Sequence, residues 1–469
     1  MATRRNFLKA ASALAAAPLV ARAQADQRPD VLFIAIEDVS PHRFGCYGNT
    51  VCRTPNIDRF ASQGLRFDNA HTSPPCCPSR TALLLGLRPE TTKVFGNQDD
   101  WHHTYPNALT IPVHFRNHGY ETIRCGKMYH GKFEDDASWS RIIQPHEGMP
   151  ERKNRRRPLQ GPGEELAREI REGKRTGSPF LYGPTGLEDW EEKDGGVAEQ
   201  GVRLLQQKSA KPRLMCLGFH ATHLPFAAPD EYFEPYPAEK MVIPRNPDAD
   251  ETGMPKDPQR LAKHNPHTLE QWRAAIAAHY ACTSFVDAQV GRVLQALEES
   301  GRADDTIVVI WSDHGFMLGE HFLWRKGPLY EESTRVLLLI RAPGLTTPGT
   351  ACRRPVESID IFPTLLELCG LPQPPNIEAL SMRPLLQDPD HAWKKGALMW
   401  GGKGRHGIVT ERWRYSEYQG DPQRAELFDH ETDPGEFRNL AKDPEHGDVV
   451  AGLSRLLRSG WRACLPDSG

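Results

Sequence analysis

The feature that most constrains the fold is a set of five short apolar runs that show no polar alternation. In chain order they are DVLFIAI (residues 30–36), YETIRC (120–125), PRLMCLGF (212–219), DTIVVIW (305–311) and RVLLLIR (335–341). Such runs are typical of strands that are buried on both faces, as in a parallel sheet. Helical patterns lie between them, and the longest, over 270–300, is followed by Gly301, a residue suited to a helix C-terminus. The sequence therefore predicts an α/β fold with a large, mostly parallel sheet sandwiched by helices.

Changes in composition along the chain predict its organisation. We expect one large domain over residues 26–390 and a small C-terminal α+β subdomain over 391–469, because the pattern changes after LPQPP (371–375). Within the large domain, about residues 131–200 are charged and rich in Gly and Pro, which indicates a surface insertion. This segment contains the basic run RKNRRR (152–157), which is either a solvated loop or a contact for a polyanion.

The N-terminus has the pattern of a targeting segment. Arg4 and Arg5 precede an apolar stretch rich in Ala and Leu, and A-x-A cleavage patterns follow. This combination is typical of a signal peptide, and the arginine pair resembles the twin-arginine export signal. We therefore expect residues 1–25 to be removed and the protein to be periplasmic or secreted.

Charge and composition exclude two classes of partner. The net charge is −3, with 58 basic and 61 acidic residues, whereas nucleic-acid-binding domains are usually clearly basic. No apolar run of about 18 residues occurs beyond the N-terminus, so no membrane span is predicted. The ten cysteines show no zinc-like C-x-x-C pairs, and disulfides stay possible in an exported protein.

Polar residues whose side chains could bind a ligand or take part in a reaction follow four of the apolar runs. They are Glu37 and Asp38 after the first run, Lys127 and His130 after the second, His220 and His223 after the third, and Asp313 and His314 after the fourth. The carboxyl ends of parallel strands share one edge of the sheet, where ligands bind. Each acid pair alone could simply cap a helix. Two pairs at matching strand ends indicate a divalent cation, and oxygen ligands favour Ca²⁺ or Mg²⁺.

A cysteine pair stands at the predicted start of a helix. Cys76 and Cys77 precede PSRTALLLGL, so Cys76 should lie where backbone N–H groups and the helix dipole favour an anion. A thiol there could be a nucleophile, and Arg80 one turn later could bind a tetrahedral oxyanion. A buried small residue or a disulfide would explain the pair equally well.

The amino-acid sequence of this stretch resembles the signature of type I sulfatases, C-x-P-S-R followed by x-x-x-L-x-G. Further segments resemble sulfatases in the same order: NIDRFASQGLRFDNAH, GYETIRCGKMYHG, SDHGFMLGEHFLWRKGPLYEESTRV, SIDIFPTLLELCGL and ELFDHETDPGEFRNLA. RPETTKVF and GKMYH look most like the iduronate-2-sulfatase branch. The resemblance implies an alkaline phosphatase-like fold and sulfate ester hydrolysis. It also implies that Cys76, and not Cys77, is oxidised to formylglycine by a formylglycine-generating enzyme.

The resemblance assigns roles at the predicted metal site. Asp38, Asp313 and His314 would hold Ca²⁺ together with the modified Cys76. Glu37 stands where the family has the first of two aspartates, and its extra methylene makes Mg²⁺ or a displaced Ca²⁺ more plausible.

The resemblance also implies how sulfate is bound and released. Arg80, Lys127 and Lys326 would bind the formylglycine and sulfate oxygens, and His130 would assist collapse of the hemiacetal. The proton for the leaving alcohol would come from His220 or His223, between which the sequence does not choose.

The implied substrate is a sulfated sugar. Residues that follow the signature helix could line its site, namely Asp99, Asp100, Trp101, His102 and His103. Two alternatives stay open at this point. One is a phosphonate monoester or phosphodiester hydrolase of the same superfamily. The other is an inactive protein that binds sulfated glycans, suggested by Glu37 and the basic run.

Overall fold

The computed structural model describes residues 28–151, 157–175, 177–249, 251–252, 254–256, 264–418 and 421–466. The expected signal peptide, residues 1–25, lies outside this part of the chain. The strands in it are β1 (Asp30–Ile36), β2 (Leu65–Phe67), β3 (Ala70–His71), β4 (Glu121–Gly126), β5 (Arg141–Ile143), β6 (Tyr182–Pro184), β7 (Arg213–Phe219), β8 (Phe226–Ala228), β9 (Thr306–Ser312), β10 (Met317–Leu318), β11 (Trp324–Arg325), β12 (Leu338–Arg341), β13 (Thr350–Cys352), β14 (Val356–Glu357), β15 (Ala397–Trp400), β16 (Arg405–Val409), β17 (Trp413–Tyr418) and β18 (Asp421–Asp429).

The α-helices of the same residues alternate with these strands. They are α1 (Pro55–Ala61), α2 (Cys76–Leu85), α3 (Pro89–Thr92), α4 (Ile111–Asn117), α5 (Glu164–Arg171), α6 (Lys193–Gln206), α7 (Leu269–Glu299), α8 (Glu331–Thr334), α9 (Ile361–Leu368), α10 (Arg383–Gln387) and α11 (Gly447–Arg458). The predicted long helix is α7, and Gly301 after it adopts the left-handed φ of +68° that glycine tolerates best. None of the described helices is both long and apolar enough to cross a bilayer.

The main sheet has eight strands in the order β13-β2-β12-β9-β1-β7-β4-β5. Strand β1 lies in its middle and pairs in parallel with β7 and β9. Its side chains alternate between two cores: Val31 and Phe33 contribute to one, while Leu32 and Ile34 contribute to the other. Because both faces are covered, each side chain of the run is buried, which explains the absence of polar alternation. The predicted parallel sheet between helices is confirmed.

One of the five predicted runs enters the sheet in the opposite direction. Strand β12 is antiparallel to β9, with Leu338 opposite Trp311. A parallel strand needs a crossover that returns the chain to the other edge of the sheet. Residues 313–337 contain only short elements, so β12 starts at the edge where β9 ends and runs back.

The predicted insertion at about 131–200 is wrong in its extent. Strand β5 within it is an edge strand of the main sheet, parallel to β4. Helix α6 begins at Lys193 and buries Val197 and Ala198 in the core beneath the sheet. Its glycines and charged residues concealed the helix pattern. Of the basic run 152–157, only Arg157 is described, and it forms an ion pair with Asp230.

The C-terminal part forms an antiparallel sheet in the order β15-β16-β17-β18, with α11 packed on β16 and β17. Its core includes Ile408, Tyr415, Leu427 and Leu457. A small C-terminal subdomain is thus present, as predicted. Each of the ten cysteines is a free thiol.

Candidate active site

Four buried side chains from three segments meet at the carboxyl edge of the main sheet. Asp38 follows β1, Asp313 and His314 follow β9, and Cys76 is the first residue of α2. His314 Nε2 lies 3.1 Å from Cys76 Sγ and 3.2 Å from Asp38 Oδ1. One ligand atom from each of the four lies within 4.8 Å of the others. The fold thus brings together four residues that the sequence separates by up to 276 positions (314 − 38).

The backbone of Asp38 is fixed in an unusual conformation. Its φ of +50° is left-handed, which costs a non-glycine residue about 1–3 kcal/mol. Its N–H donates to Asp313 Oδ1 at 3.0 Å, and its carbonyl is hydrogen-bonded to His279 Nε2 of α7 at 3.1 Å. These contacts hold the turn after β1 and aim the carboxylate at Cys76. His279 was not singled out by sequence, because a single buried histidine on a long helix carries no motif.

Helix α2 places position 76 where an anion is favoured. All of its residues are buried, and it ends at Gly86, whose φ is +66°. Ser79 Oγ donates to the carbonyl oxygen of Asp313 and thereby joins the first turn of the helix to the end of β9. Because the first N–H groups of a helix lack intrahelical partners, they and the dipole stabilise negative charge near Cys76.

Arg80 is held rigidly but retains a free donor. Its Nε donates to Asp313 Oδ2 at 2.8 Å, and Nη1 donates to the carbonyls of Lys127 and Met128 at 3.0 and 3.2 Å. Its Nη2 is buried and has no partner among the described residues. A buried guanidinium nitrogen without an acceptor is costly unless a ligand supplies one. We therefore expect an anion beside Arg80.

A close approach of β4 and β7 brings Lys127 into the site. Gly126 has a φ of +81°, and a Cβ there would lie 2.1 Å from the carbonyl oxygen of Gly218. A Cβ on Gly218 would lie 2.0 Å from the carbonyl oxygen of Lys127. Both positions therefore require glycine. Lys127 Nζ consequently reaches Glu37 Oε1, and burial lowers the pKa of Lys127 to about 8, against the attraction of Asp313.

Glu37, a predicted metal ligand, lies beside the four-residue cluster. Its carboxylate is hydrogen-bonded to Lys127 and His220. It shares a second group of potential ligands with Asp38 and His223, whose ligand atoms lie within 4.8 Å of one another. The longer side chain thus allows Glu37 to reach Lys127 and His220.

Lys326 approaches the cluster from the loop that follows β11. Its Nζ forms an ion pair with Asp38 Oδ2 and lies 5.8 Å from the centroid of the Phe316 ring. Burial disfavours the ammonium, but Asp38 and Cys76 outweigh it and raise the pKa of Lys326. Burial likewise opposes ionisation of Asp38, yet Lys326 and His223 hold its pKa below the usual value. Lys326 is therefore a fixed positive charge beside position 76.

Three histidines surround the cluster. The rings of His220 and His223 are stacked with centroids 4.8 Å apart. His220 Nδ1 is hydrogen-bonded to Glu37, whereas His223 Nδ1 is bonded to the carbonyl of Leu224 at 2.6 Å. Burial lowers the pKa of His220 to about 4 and that of His223 to about 3. Nδ1 of His130 is buried and has no hydrogen-bond partner among the described residues.

A cavity of about 630 Å³ lies next to the cluster, because Lys326, which pairs with Asp38, lines it. The predicted residues Lys127, His130, His220, His223 and Lys326 line it. The sequence analysis missed other lining residues, namely Asn97, Gln98, Arg124, Glu134, Ser178, Lys193 and Arg325. Arg124 and Arg325 come from β4 and β11 and the others from loops and the start of α6, and only the folded structure could bring them together here.

The predicted sugar-binding residues lie just behind the cavity wall. Asp99 Oδ2 accepts hydrogen bonds from the N–H groups of Phe95 and Gly96, and Asp100 is hydrogen-bonded to the ring of His102 at 2.7 Å. Trp101 is buried and stacks on Tyr129, with ring centroids 5.9 Å apart. His103, 87 % exposed, has Nε2 3.8 Å from Asp100 Oδ2. Asn97 and Gln98 of this loop line the cavity. The five residues that follow them, 99–103, are not among its described lining residues.

Comparison with known proteins assigns the family. Residues 29–371 match the sulfatase family, and residues 319–461 match the C-terminal region of N-sulphoglucosamine sulphohydrolase. The chain belongs to the sulfatase family. It is therefore a sulfuric ester hydrolase, and the resemblance inferred from the C-x-P-S-R stretch is confirmed.

Relatives and solved structures agree with this assignment. A sulfatase of Formosa agariphila is 31% identical over 450 residues, which cover 92% of this chain and 86% of the relative. Human iduronate 2-sulfatase is 31% identical over 396 residues, covering 74% and 70% of the two chains. The structure of a phosphonate monoester hydrolase of Agrobacterium radiobacter superposes with a TM-score of 0.74 at 22% identity, covering 93% and 96%. At that identity the likeness shows the shared alkaline phosphatase-like fold.

Proposed function

We propose that this sulfatase removes sulfate from a sulfated carbohydrate, with a formylglycine derived from Cys76 as nucleophile and a bound Ca²⁺. The observation that carries the proposal is the buried group of Asp38, Cys76, Asp313 and His314, whose Asp38 pairs with the cavity-lining Lys326. Arg80, Lys127 and Lys326 surround it with positive charge. The relation to human iduronate 2-sulfatase supports a sugar substrate.

The donor set suits a hard divalent cation. Two carboxylates and an imidazole converge with position 76, and burial excludes competing water. Carboxylate oxygens favour Ca²⁺ or Mg²⁺, whereas a closed zinc site would need more nitrogen or sulfur ligands. A cation held by Asp38, Asp313 and His314 would act as a Lewis acid on a sulfate oxygen.

The protein's own side chains would bind and orient the sulfate. Arg80 Nη2, which has no partner among the described residues, and the ammonium groups of the cavity-lining Lys127 and Lys326 would donate to its oxygens. Charge that develops on these oxygens during S–O cleavage would be stabilised by donors already fixed in place. The modified Cys76 supplies the attacking hydroxyl. His130, whose Nδ1 has no partner in the described part of the chain, would hold a proton from position 76.

His220 is the better placed of the two histidines to protonate the leaving alcohol. Glu37 binds its Nδ1, which holds the ring and stabilises the imidazolium, and its side chain is 35% exposed to the cavity. His223 is 15% exposed, and its Nε2 faces Asp38 at 4.0 Å. A bound anionic sulfate would raise the low pKa of His220 and favour the acid form.

Replacing His220 by glutamine should slow sulfate release from sugar esters about 10²–10⁴-fold, the usual contribution of a general acid. The loss should be much smaller for aryl sulfates with acidic phenols, because those leaving groups need little protonation. His223→Gln is the matched variant and should not show this dependence on the leaving group. A plot of log kcat against leaving-group pKa for both variants checks the assignment, and equal slopes would contradict it.

Removing the cation should abolish turnover and lower thermal stability. Four buried ligand groups would lose the charge that organises them, and a ligand present at 100 times its Kd stabilises a fold by about 2.7 kcal/mol. The measurement is sulfate release and Tm after treatment with a chelator, followed by addition of Ca²⁺, Mg²⁺ or Zn²⁺. We expect Ca²⁺ to restore both. If Mg²⁺ alone restored activity, the proposed cation would be Mg²⁺ and not Ca²⁺. If exhaustive chelation left activity unchanged, the proposed metal would be rejected.

A substrate panel tests the proposed function. Sulfated disaccharides, an aryl sulfate, a phosphodiester and a phosphonate monoester are compared at equal concentration. Sulfate release from a sugar is the expected result. Faster cleavage of the phosphonate or phosphodiester would favour the alternative hydrolase. Sugar binding without turnover, by protein whose Cys76 is fully converted, would favour the inactive binding protein.

The cellular location is a separate proposal. We infer export by the twin-arginine route from Arg4 and Arg5, and conversion of Cys76 by a formylglycine-generating enzyme before export. Replacing both arginines by lysine should leave the protein in the cytoplasm, which fractionation followed by immunoblotting would detect. Release of the variant into the periplasm would reject the route.

A further inference from the structure

The charges that line the cavity do not balance. Among the described residues, five cationic side chains line it, from Arg124, Lys127, Lys193, Arg325 and Lys326, against one carboxylate, Glu134. Three of the five have acidic partners: Lys127 pairs with Glu37, Lys326 with Asp38, and Arg124 with Glu134 at 2.8 Å. Neither Lys193 nor Arg325 forms an ion pair with any described carboxylate.

Of these two side chains, that of Arg325 is held in place by more contacts. Its Nε donates to Asn265 Oδ1 at 3.0 Å, and its Nη1 donates to the carbonyl of Ser178 at 2.9 Å. Its guanidinium lies 5.6 Å from the centroid of the Phe180 ring. All of these partners are neutral, so they orient the guanidinium without neutralising it.

The backbone at Arg325 is also strained. Its φ is +80°, a left-handed value that favours glycine. A non-glycine residue persists in such a conformation only where the surrounding structure holds it, and such residues cluster at active sites and ligand-binding positions. Burial lowers the pKa of Arg325, which is the expected cost of holding a charge in a cavity without a counter-ion. Strain and an unbalanced charge together indicate that an anionic group of a ligand completes this site.

We propose that Arg325 binds a second anionic group of the substrate, separate from the sulfate that is hydrolysed. This inference rests on the proposed function and specifies its substrate class: a sugar that carries a carboxylate or a further sulfate. A guanidinium suits either group, because its planar donors match two oxygens at once. Lys193 is exposed at the first turn of α6 and has no hydrogen-bond or ion-pair partner in the described part of the chain, so it contributes general attraction to anions.

The test compares three disaccharides with the reacting sulfate at the same position. The first has no other charge, the second carries a carboxylate, and the third carries a second sulfate. Wild-type enzyme should prefer the second or the third in kcat/KM, and which one it prefers identifies the anion. Arg325→Met should reduce this preference at least tenfold, mainly through KM. Arg325→Lys should retain part of it.

Two further variants exclude a structural explanation. Glycine relieves the strained φ, so Arg325→Gly should lose the preference while its Tm does not fall. Lys193→Met should lower kcat/KM for the charged sugars alike and keep the ranking. Arg438→Met, at an exposed arginine of the C-terminal part, is the control for loss of a positive charge.

The proposal is overturned if the wild type shows no preference for the doubly charged sugars, or if Arg325→Met keeps it. It is also overturned if Lys193→Met removes the preference and Arg325→Met does not. These outcomes differ from failure of the proposed function, in which none of the three sugars releases sulfate.

Discussion

Cys76→Ala is expected to abolish sulfate release, with kcat/KM lower by at least about 10³-fold, because the variant lacks the atom from which the nucleophile is made. Sulfate released from a sulfated disaccharide, measured by ion chromatography, checks this result. The site should otherwise persist. Alanine fits the first turn of α2, and Asp313 keeps its bonds from Arg80 and from the N–H of Asp38.

Cys77→Ala is the matched control. Cys77 is equally buried, but its Sγ packs in the core 3.9 Å from Thr81 Oγ1 and contacts the carbonyl of Asp99 at 3.5 Å. Its loss should cost about 1 kcal/mol of stability, as for an average substitution, and leave turnover near that of the wild type. The mass of the Cys76 peptide completes the experiment. Full activity from protein whose Cys76 is an unmodified thiol would reject formylglycine as the nucleophile.

Arg414→Met is expected to destabilise the fold by about 3–5 kcal/mol, the usual cost of breaking a buried ion pair from one side. Arg414 is fully buried and pairs with Glu436, which is 1% exposed. The other carboxylate oxygen of Glu436 accepts the N–H of Glu331 at 2.9 Å, so the pair joins the C-terminal sheet to the start of α8. Burial disfavours the Glu436 carboxylate, but Arg414 holds its pKa below the usual value. Without the guanidinium, the buried Glu436 carboxylate keeps His430, 3.0 Å away, as its remaining charged partner and loses the stronger one.

Urea denaturation followed by tryptophan fluorescence measures this loss. Arg412→Met, two residues earlier, is the matched control, because Arg412 pairs with Asp429 at 2.8 Å while 45% exposed. Solvent screens such a pair, so we expect a small change there. Glu436→Gln in the Arg414→Met background should recover part of the stability by removing the buried charge. Equal losses in Arg414→Met and Arg412→Met would contradict the assigned role.

Several features followed from the sequence because they depend on local patterns. Unbroken apolar runs reveal strands that are buried on both faces, so the sheet was predictable. Parallel strands end at one edge, which sufficed to predict that residues after β1, β4, β7 and β9 would meet. Asp38, Asp313 and His314 do meet Cys76 there. The residue types that follow these strands were therefore sufficient to predict a site of carboxylates and histidines beside Cys76.

Other features depended on contacts between distant segments. The direction of β12 is decided by the lack of a crossover after β9, which no local run reports. The contacts of Glu37 with Lys127 and His220 depend on the extra methylene that a glutamate has over an aspartate, and on the close approach of Gly126 to Gly218. Asn97 and Gln98 line the cavity because Asp99 fixes the turn that carries them.

The sequence by itself determined the sheet and the residue types that meet at the site, since periodicity and motifs are properties of short segments. Only the tertiary structure decided which charges are paired. Arg325 differs from Arg80 and Arg124, which pair with carboxylates, because its partners Asn265, Ser178 and Phe180 are neutral. Charge balance depends on distances across the folded chain, and these exist only once the loops have packed over the sheet.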